Sequence, residues 1–262
     1  MNQTNDLHLQ RRELGQLLRM LDDEHPQAAE KLDALPPVKP TCRIIGLTGN
    51  PGAGKSTLVS AMIECLRGQG HTVAVLAVDP SSPFSGGAVL GDRVRMIRHH
   101  DDDGVYIRSL ATRGHLGGLT RSAGQLIDAV ARNGFDRVIV ETVGVGQDEV
   151  SVVEAVDLSV VVCVPGLGDS VQSIKAGILE IADLFVVNKA DRPGADQLAK
   201  DLNVAIHLGE PPAEERPEIY HTVATQGEGV AELVGGIDLW FATPGREVLL
   251  DRRRAGRWKA RL

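Results

Sequence analysis

An α/β architecture, with a mostly parallel sheet packed between helices in three layers, is what this sequence predicts. Three observations carry it. Short apolar runs that are continuous rather than alternating recur between helical patterns, which marks strands buried on both faces. Apolar residues make up 42% of the 262 residues, enough for a sizeable core, and only 2 Trp, 2 Tyr and 4 Phe occur, so that core is built from Val, Ile, Leu and Ala. Glycine accounts for 29 of the 262 residues. That exceeds the usual share of about 7%, as tight strand-to-helix turns require.

Residues 1–40 read as a helical extension. Leu14, Leu17, Leu18 and Leu21 follow the i, i+3, i+4, i+7 spacing of one buried helix face. Pro26 starts a second short helix with Ala28, Leu32 and Leu35 on one side, and PPVKP (Pro36 to Pro40) ends it. Residues 41–243 then alternate between strand and helix. The strands are CRIIGLT (42–48), TVAVLAV (72–78), VYIRSLA (105–111), DRVIVET (136–142), LSVVVCV (158–164) and LFVVNK (184–189), with a weaker one at IYHTVA (219–224). Helical patterns occupy 56–69, 120–133, 172–182, 195–205 and 229–242. Residues 244–262 form a C-terminal helix. Its seven basic residues between Arg246 and Arg261 read as a solvated face, with Leu249, Leu250 and Trp258 inward. The DDD run at 101–103 reads as a solvated loop.

Composition also excludes functions. A net charge of −7 argues against general nucleic-acid affinity. The cysteines, Cys42, Cys65 and Cys163, form no CxxC pair, so neither a disulfide framework nor a structural zinc site is indicated. No apolar run reaches the roughly 18 residues of a membrane span. The N-terminus has no apolar signal core, so the expectation is a cytoplasmic protein with neither membrane nor nucleic acid as partner.

The chemistry lies in three loops. Gly49-Asn50-Pro51-Gly52-Ala53-Gly54-Lys55-Ser56 fits GxxxxGK[ST] between a strand and a helix. Glycines let backbone N–H groups wrap phosphates, and the helix N-terminus adds a favourable dipole. Lys55 faces the β- and γ-phosphates, the Ser56 hydroxyl is a Mg²⁺ ligand, and Thr57 contacts the α-phosphate. A Gly-rich turn with a solvated lysine is the bland alternative, and the flanking strand and helix argue against it. Together these features predict a P-loop NTPase fold.

Asn188-Lys189-Ala190-Asp191 follows the strand LFVVNK, where a guanine-specificity NKxD belongs. A carboxylate at Asp191 accepts from guanine N1–H and its exocyclic amine, which adenine cannot match. Asn188 is expected at the O6/N7 edge, the Lys189 stem over the base, and backbone N–H groups near Ala224 around the pocket. The third loop is Glu141-Thr142-Val143-Gly144. A carboxylate at that strand tip holds Mg²⁺, directly or through water, and the Gly144 N–H approaches the γ-phosphate. Asp79 and Asp92 add oxygen donors near the same sheet edge.

Glu in place of the more common Asp in this third motif resembles the metallocentre-assembly GTPases of the SIMIBI class. Within them, VDPSSPFSGGAVLGDRVRM (78–96), SLATRGHLGGL (109–119), ETVGVGQDE (141–149) and VPGLGDSVQSIKAGILEIADLFVVNKAD (164–191) resemble the MeaB/ArgK type, the methylmalonyl-CoA mutase-associated GTPases. The resemblance implies slow GTP hydrolysis to GDP, and a chaperone that gates adenosylcobalamin loading or protection of an acyl-CoA mutase. It places Lys55, Ser56, Asp79, Asp92 and Glu141 at phosphate and Mg²⁺ positions. Residues 79–92 match switch I, 142–149 match switch II, and about 165–175 match a third switch. Lys175 in that third switch resembles the lysine that completes the site when the mutase is bound, and Asp92 and Gln147 are candidates to orient the attacking water.

The family continues into a helical dimerisation arm, which residues 244–262 match only at its start, so a homodimer is a possibility left open. Asp6-Leu7-His8-Leu9-Gln10-Arg11 has Arg where a cobalt-ligating DxHxxG needs Gly, so this chain is not expected to bind cobalamin itself. Three other functions compete, one of them a non-catalytic scaffold that uses GTP as a structural switch. A nickel-insertion GTPase would need a His- or Cys-rich tract that the N-terminus does not show. An ATP-dependent kinase of the ArgK-like kind is opposed by NKAD.

Overall fold

The structure is a computed structural model, and it describes residues 2–79, 97–99, 101–111, 119–142, 155–166, 182–208 and 216–259. Seven strands form one sheet: β1 (Arg43–Thr48), β2 (Val73–Asp79), β3 (Val105–Ala111), β4 (Arg137–Thr142), β5 (Leu158–Cys163), β6 (Leu184–Asn188) and β7 (Glu218–Thr222). Their order is β3-β2-β4-β1-β5-β6-β7, and every pair is parallel. Each apolar run of the sequence is therefore a strand. Among the described residues seven α-helices accompany them: α1 (Asn2–Asp22), α2 (Ala28–Asp33), α3 (Lys55–Gly68), α4 (Leu119–Arg132), α5 (Ala195–Leu208), α6 (Val230–Ala242) and α7 (Arg246–Lys259). The helical pattern at 172–182 lies outside the described residues, apart from Ala182.

Strand alternation sends neighbouring side chains into different layers. Ile45, Leu47, Val75 and Val160 face α3 and α6, where Leu58, Met62, Leu233 and Ile237 are buried. Ile44, Leu76 and Val138 face the other way and pack with α1, α2 and α4. Leu14, Leu17, Leu18 and Leu21 of α1 are all buried there, as their spacing predicts. Farther along that face, Phe185 and Val187 pack with Leu198 and Leu202 of α5.

Two charged segments differ from expectation. Arg253 and Arg254 of α7 do not lie on a solvated face. Arg253 forks onto Asp183, with Nη1–Oδ2 at 2.6 Å and Nη2–Oδ1 at 3.0 Å, and Arg254 reaches Asp157 at 3.3 Å. Asp157 and Asp183 precede β5 and β6, so α7 is latched across the amino-terminal end of the sheet, opposite the P-loop. Leu250 is buried beside Trp240 and Phe241, with Leu249 partly buried against them, while the Trp258 side chain lies outside the described set. In the DDD run, Asp102 is half-buried and takes two hydrogen bonds from Arg67, at 2.8 and 2.9 Å, plus the Gly104 N–H. A charge run reads as solvated only until the fold supplies partners.

Candidate nucleotide-binding site

The P-loop emerges from the carboxyl end of β1, the middle strand, between β4 and β5. This is the crevice position where open parallel sheets bind ligands. Two glycines there are sterically required. A Cβ at Gly49, at φ 140°, would lie 2.1 Å from the Val162 carbonyl oxygen. A Cβ at Gly54, at φ 84°, would lie 2.6 Å from Asn188 Nδ2. Gly54 caps α3 without a side-chain hydrogen bond, and no acidic residue sits in the first turn, so the N–H groups there suit an anion.

Lys55 is buried and its ammonium donates to the carbonyls of Gly49 at 2.5 Å and Asn50 at 3.2 Å. The lysine is thus drawn across the loop it must serve. The structure brings Ser56 and Glu141 together: the Ser56 hydroxyl donates to Glu141 Oε1 at 2.6 Å, and both residues are buried. Register puts Glu141 beside Leu47 at the end of β4. The backbone of Asp79 ends β2, and its side chain lies outside the described residues. Asp92, Gly144, Gln147 and Lys175 also lie outside them. Burial of Cys163, which ends β5 and packs with Phe185, Val187 and Leu198, pushes its thiol up to about 12.

The NKxD segment divides its labour in a way the motif does not announce. Asn188, 2% exposed, donates through Nδ2 to the Ala53 carbonyl at 2.8 Å. Its Oδ1 accepts from the Thr222 hydroxyl at 3.0 Å and the Ala224 N–H at 3.2 Å. Instead of lying free at a base edge, Asn188 braces the P-loop against the loop after β7. The Ala224 N–H is likewise committed to Asn188. Lys189, at φ 56°, crosses over the P-loop and donates to the Gly52 carbonyl at 2.8 Å. Asp191 is exposed and makes no ion pair among the described residues, as an acceptor for a base requires. Thr222, buried to 1%, was not singled out by the sequence. Its position on β7 beside Asn188 is visible only once β6 and β7 are paired.

A cavity of about 600 Å³ runs from Ser56 and Thr57 to the Ala224–Gly227 loop, a size suited to a nucleotide-sized ligand. Phosphate cradle at one end and NKxD-supported loop at the other define the class: a P-loop GTPase. The comparisons with known proteins name the family. The chain belongs to the family described as methylmalonyl Co-A mutase-associated GTPase MeaB, whose profile matches residues 14–262.

A protein of Pyrococcus abyssi named as a GTPase is 49% identical over 226 residues, covering 85% of this chain and 70% of its own length. The mouse mitochondrial methylmalonic aciduria type A homolog is 40% identical over 232 residues, covering 86% of this chain and 55% of its own. Among solved structures, a LAO/AO transport system kinase is similar with a TM-score of 0.72 at 27% identity, covering 99% of this chain and 82% of its own.

Proposed function

We propose that this GTPase is a chaperone that gates adenosylcobalamin loading, or protection, of a separate acyl-CoA mutase of the methylmalonyl-CoA type. The observation that carries the reading is the family match over residues 14–262, because that family is described by its association with the mutase. The similarity to a mouse protein named for methylmalonic aciduria supports it. The site supports a switch: the buried Ser56–Glu141 contact joins the P-loop helix to the strand that leads into switch II, so a change at the phosphates is felt at β4.

In this reading Ser56, Glu141, Asp79 and Asp92 would hold Mg²⁺, a hard cation suited to their oxygen-only donor set, which would supply charge neutralisation at the phosphates. Lys55 leaves its carbonyl partners for the phosphate oxygens, Gly144 meets the γ-phosphate, and Asp191 holds guanine. Lys175 completes the site only when the mutase is bound, which raises a slow basal rate by positioning and charge. Asp92 or Gln147 orients the water. The cytoplasm is the proposed location, and no helix among the described residues is long and apolar enough to cross a membrane.

The test is GTP turnover with and without a purified adenosylcobalamin-dependent methylmalonyl-CoA mutase, with complex size and any homodimer measured in the same samples. The expected result is a complex, faster hydrolysis, and loss of the acceleration in Lys175→Ala. Turnover indifferent to the mutase, or acceleration that survives Lys175→Ala, overturns the reading.

A further inference from the structure

A short 3₁₀ turn, Ile97–His99, carries a cation to the nucleotide cavity that no motif includes. His99 is buried, and its Nε2 lies 2.9 Å from the Ser60 hydroxyl in the second turn of α3. That contact pins the turn to the P-loop helix. The neighbouring Arg98 is exposed and lines the cavity together with Ser56, Thr57 and Ser60. Its guanidinium makes no hydrogen bond or ion pair among the described residues. Most other arginines of the described core are committed: Arg67 to Asp102, Arg137 to Asp238, Arg253 to Asp183. A cation held in place by its neighbour, and without a partner among the described residues, is available to a ligand in this cavity.

Position selects which part of the ligand. The β- and γ-phosphates belong over Gly49–Lys55, and the base belongs against the Asp191 and Ala224–Gly227 side. The cavity that Arg98 lines is also lined by Ser56, Thr57, Ser60, Ala61 and Glu64 of α3 and by Ala224–Gly227. A nucleotide with its β- and γ-phosphates over the P-loop and its base at Ala224–Gly227 presents its α-phosphate and ribose to this cavity. A guanidinium offers five fixed donors and matches phosphate geometry well. We infer that Arg98 is a nucleotide-binding residue that grips the α-phosphate and ribose, the portion GDP and GTP have in common. The inference rests on nucleotide binding at the P-loop and not on a mutase partner, so it and the chaperone reading fail separately.

Calorimetric titration of the full chain with GDP and with a non-hydrolysable GTP analogue, both with Mg²⁺, tests it. Arg98→Ala is expected to weaken both ligands by the same factor, about tenfold, the size of one charge-assisted hydrogen bond on a solvent-facing wall. Arg98→Lys keeps part of the affinity, because charge remains while the fork is lost. Arg98→Gln, which keeps a polar unbranched side chain without the charge, repeats the measurement should the Ala variant fold poorly. Unchanged affinity for both nucleotides overturns the inference. So does a loss confined to the triphosphate analogue, which places the guanidinium at the γ-phosphate.

Discussion

Replacing Asn188 by Ala removes one side chain and three hydrogen bonds that tie β6, the P-loop and the end of β7 together. The bonds measure 2.8, 3.0 and 3.2 Å, and the residue is 2% exposed, so water does not take its place without opening the site. A net contribution of about 1 kcal/mol per bond, with orphaned buried groups costing somewhat more, gives a loss of about 3 kcal/mol. That is a large part of the roughly 5–15 kcal/mol that holds a domain together. It corresponds to a fall in melting temperature of roughly 6–12 °C for a chain of this size. The assay is urea and thermal unfolding of the protein without nucleotide, followed by GDP titration. The midpoint is expected to fall with an unchanged urea slope, and GDP affinity to fall with it, because the Ala53 carbonyl no longer has its brace. An unliganded variant as stable as the parent, losing only its preference for GDP over ADP, refutes the reasoning. Asn188 would then be a reader of the base and not a strut.

Other perturbations have definite outcomes. Gly54→Ala forces a Cβ to 2.6 Å from Asn188 Nδ2 at a φ of 84°, so GDP binding is expected to be lost by calorimetry even where circular dichroism shows a folded chain. Arg253→Ala leaves the Asp183 carboxylate, 8% exposed, with the Ser159 donors and no counter-charge among the described residues. A fall of about 3 kcal/mol in urea stability is expected, and an unchanged midpoint shows that α7 is not latched. The Arg67 hydrogen bonds hold the Asp102 carboxyl below its ordinary value. A depressed folded value stabilises above the unfolded one and is lost as pH falls through the folded one. The urea-midpoint difference between the parent and Arg67→Ala is therefore expected at neutral pH and narrows on acidification below the ordinary carboxylate range. Cys42 and Cys163 are buried and burial also raises Cys65, so native protein at pH 8 is expected to label slowly and only at Cys65. Mass spectrometry showing two labelled thiols contradicts that packing.

The fold was legible because its signals are local or periodic. A strand covered on both faces must be apolar throughout, and β1, β2, β4, β5 and β6 announce themselves that way. The P-loop is legible because steric demand at Gly49 and Gly54 leaves no other residue type. What stayed hidden depends on partners far apart in sequence. Arg253 and Arg254 read as solvated charge because Asp157 and Asp183 lie 70 or more positions away. Arg98 belongs to no motif, because a single basic residue has no pattern, and its place on the cavity wall shows only once His99 ties the turn to Ser60 of α3.

The four residues of NKAD show the limit most clearly. Their spacing identifies a guanine loop but cannot say which member binds and which member builds. The structure separates them by burial: Asn188 has its amide spent on Ala53, Thr222 and Ala224, while Asp191 stands exposed. Base discrimination should then follow the exposed carboxylate. Asp191→Asn, which keeps the shape but removes an acceptor and the charge, is expected to relax the preference for GDP over xanthosine diphosphate without moving the unliganded melting temperature. Asn188→Ala is expected to do the reverse. Two substitutions three residues apart would thereby separate recognition from support in one motif.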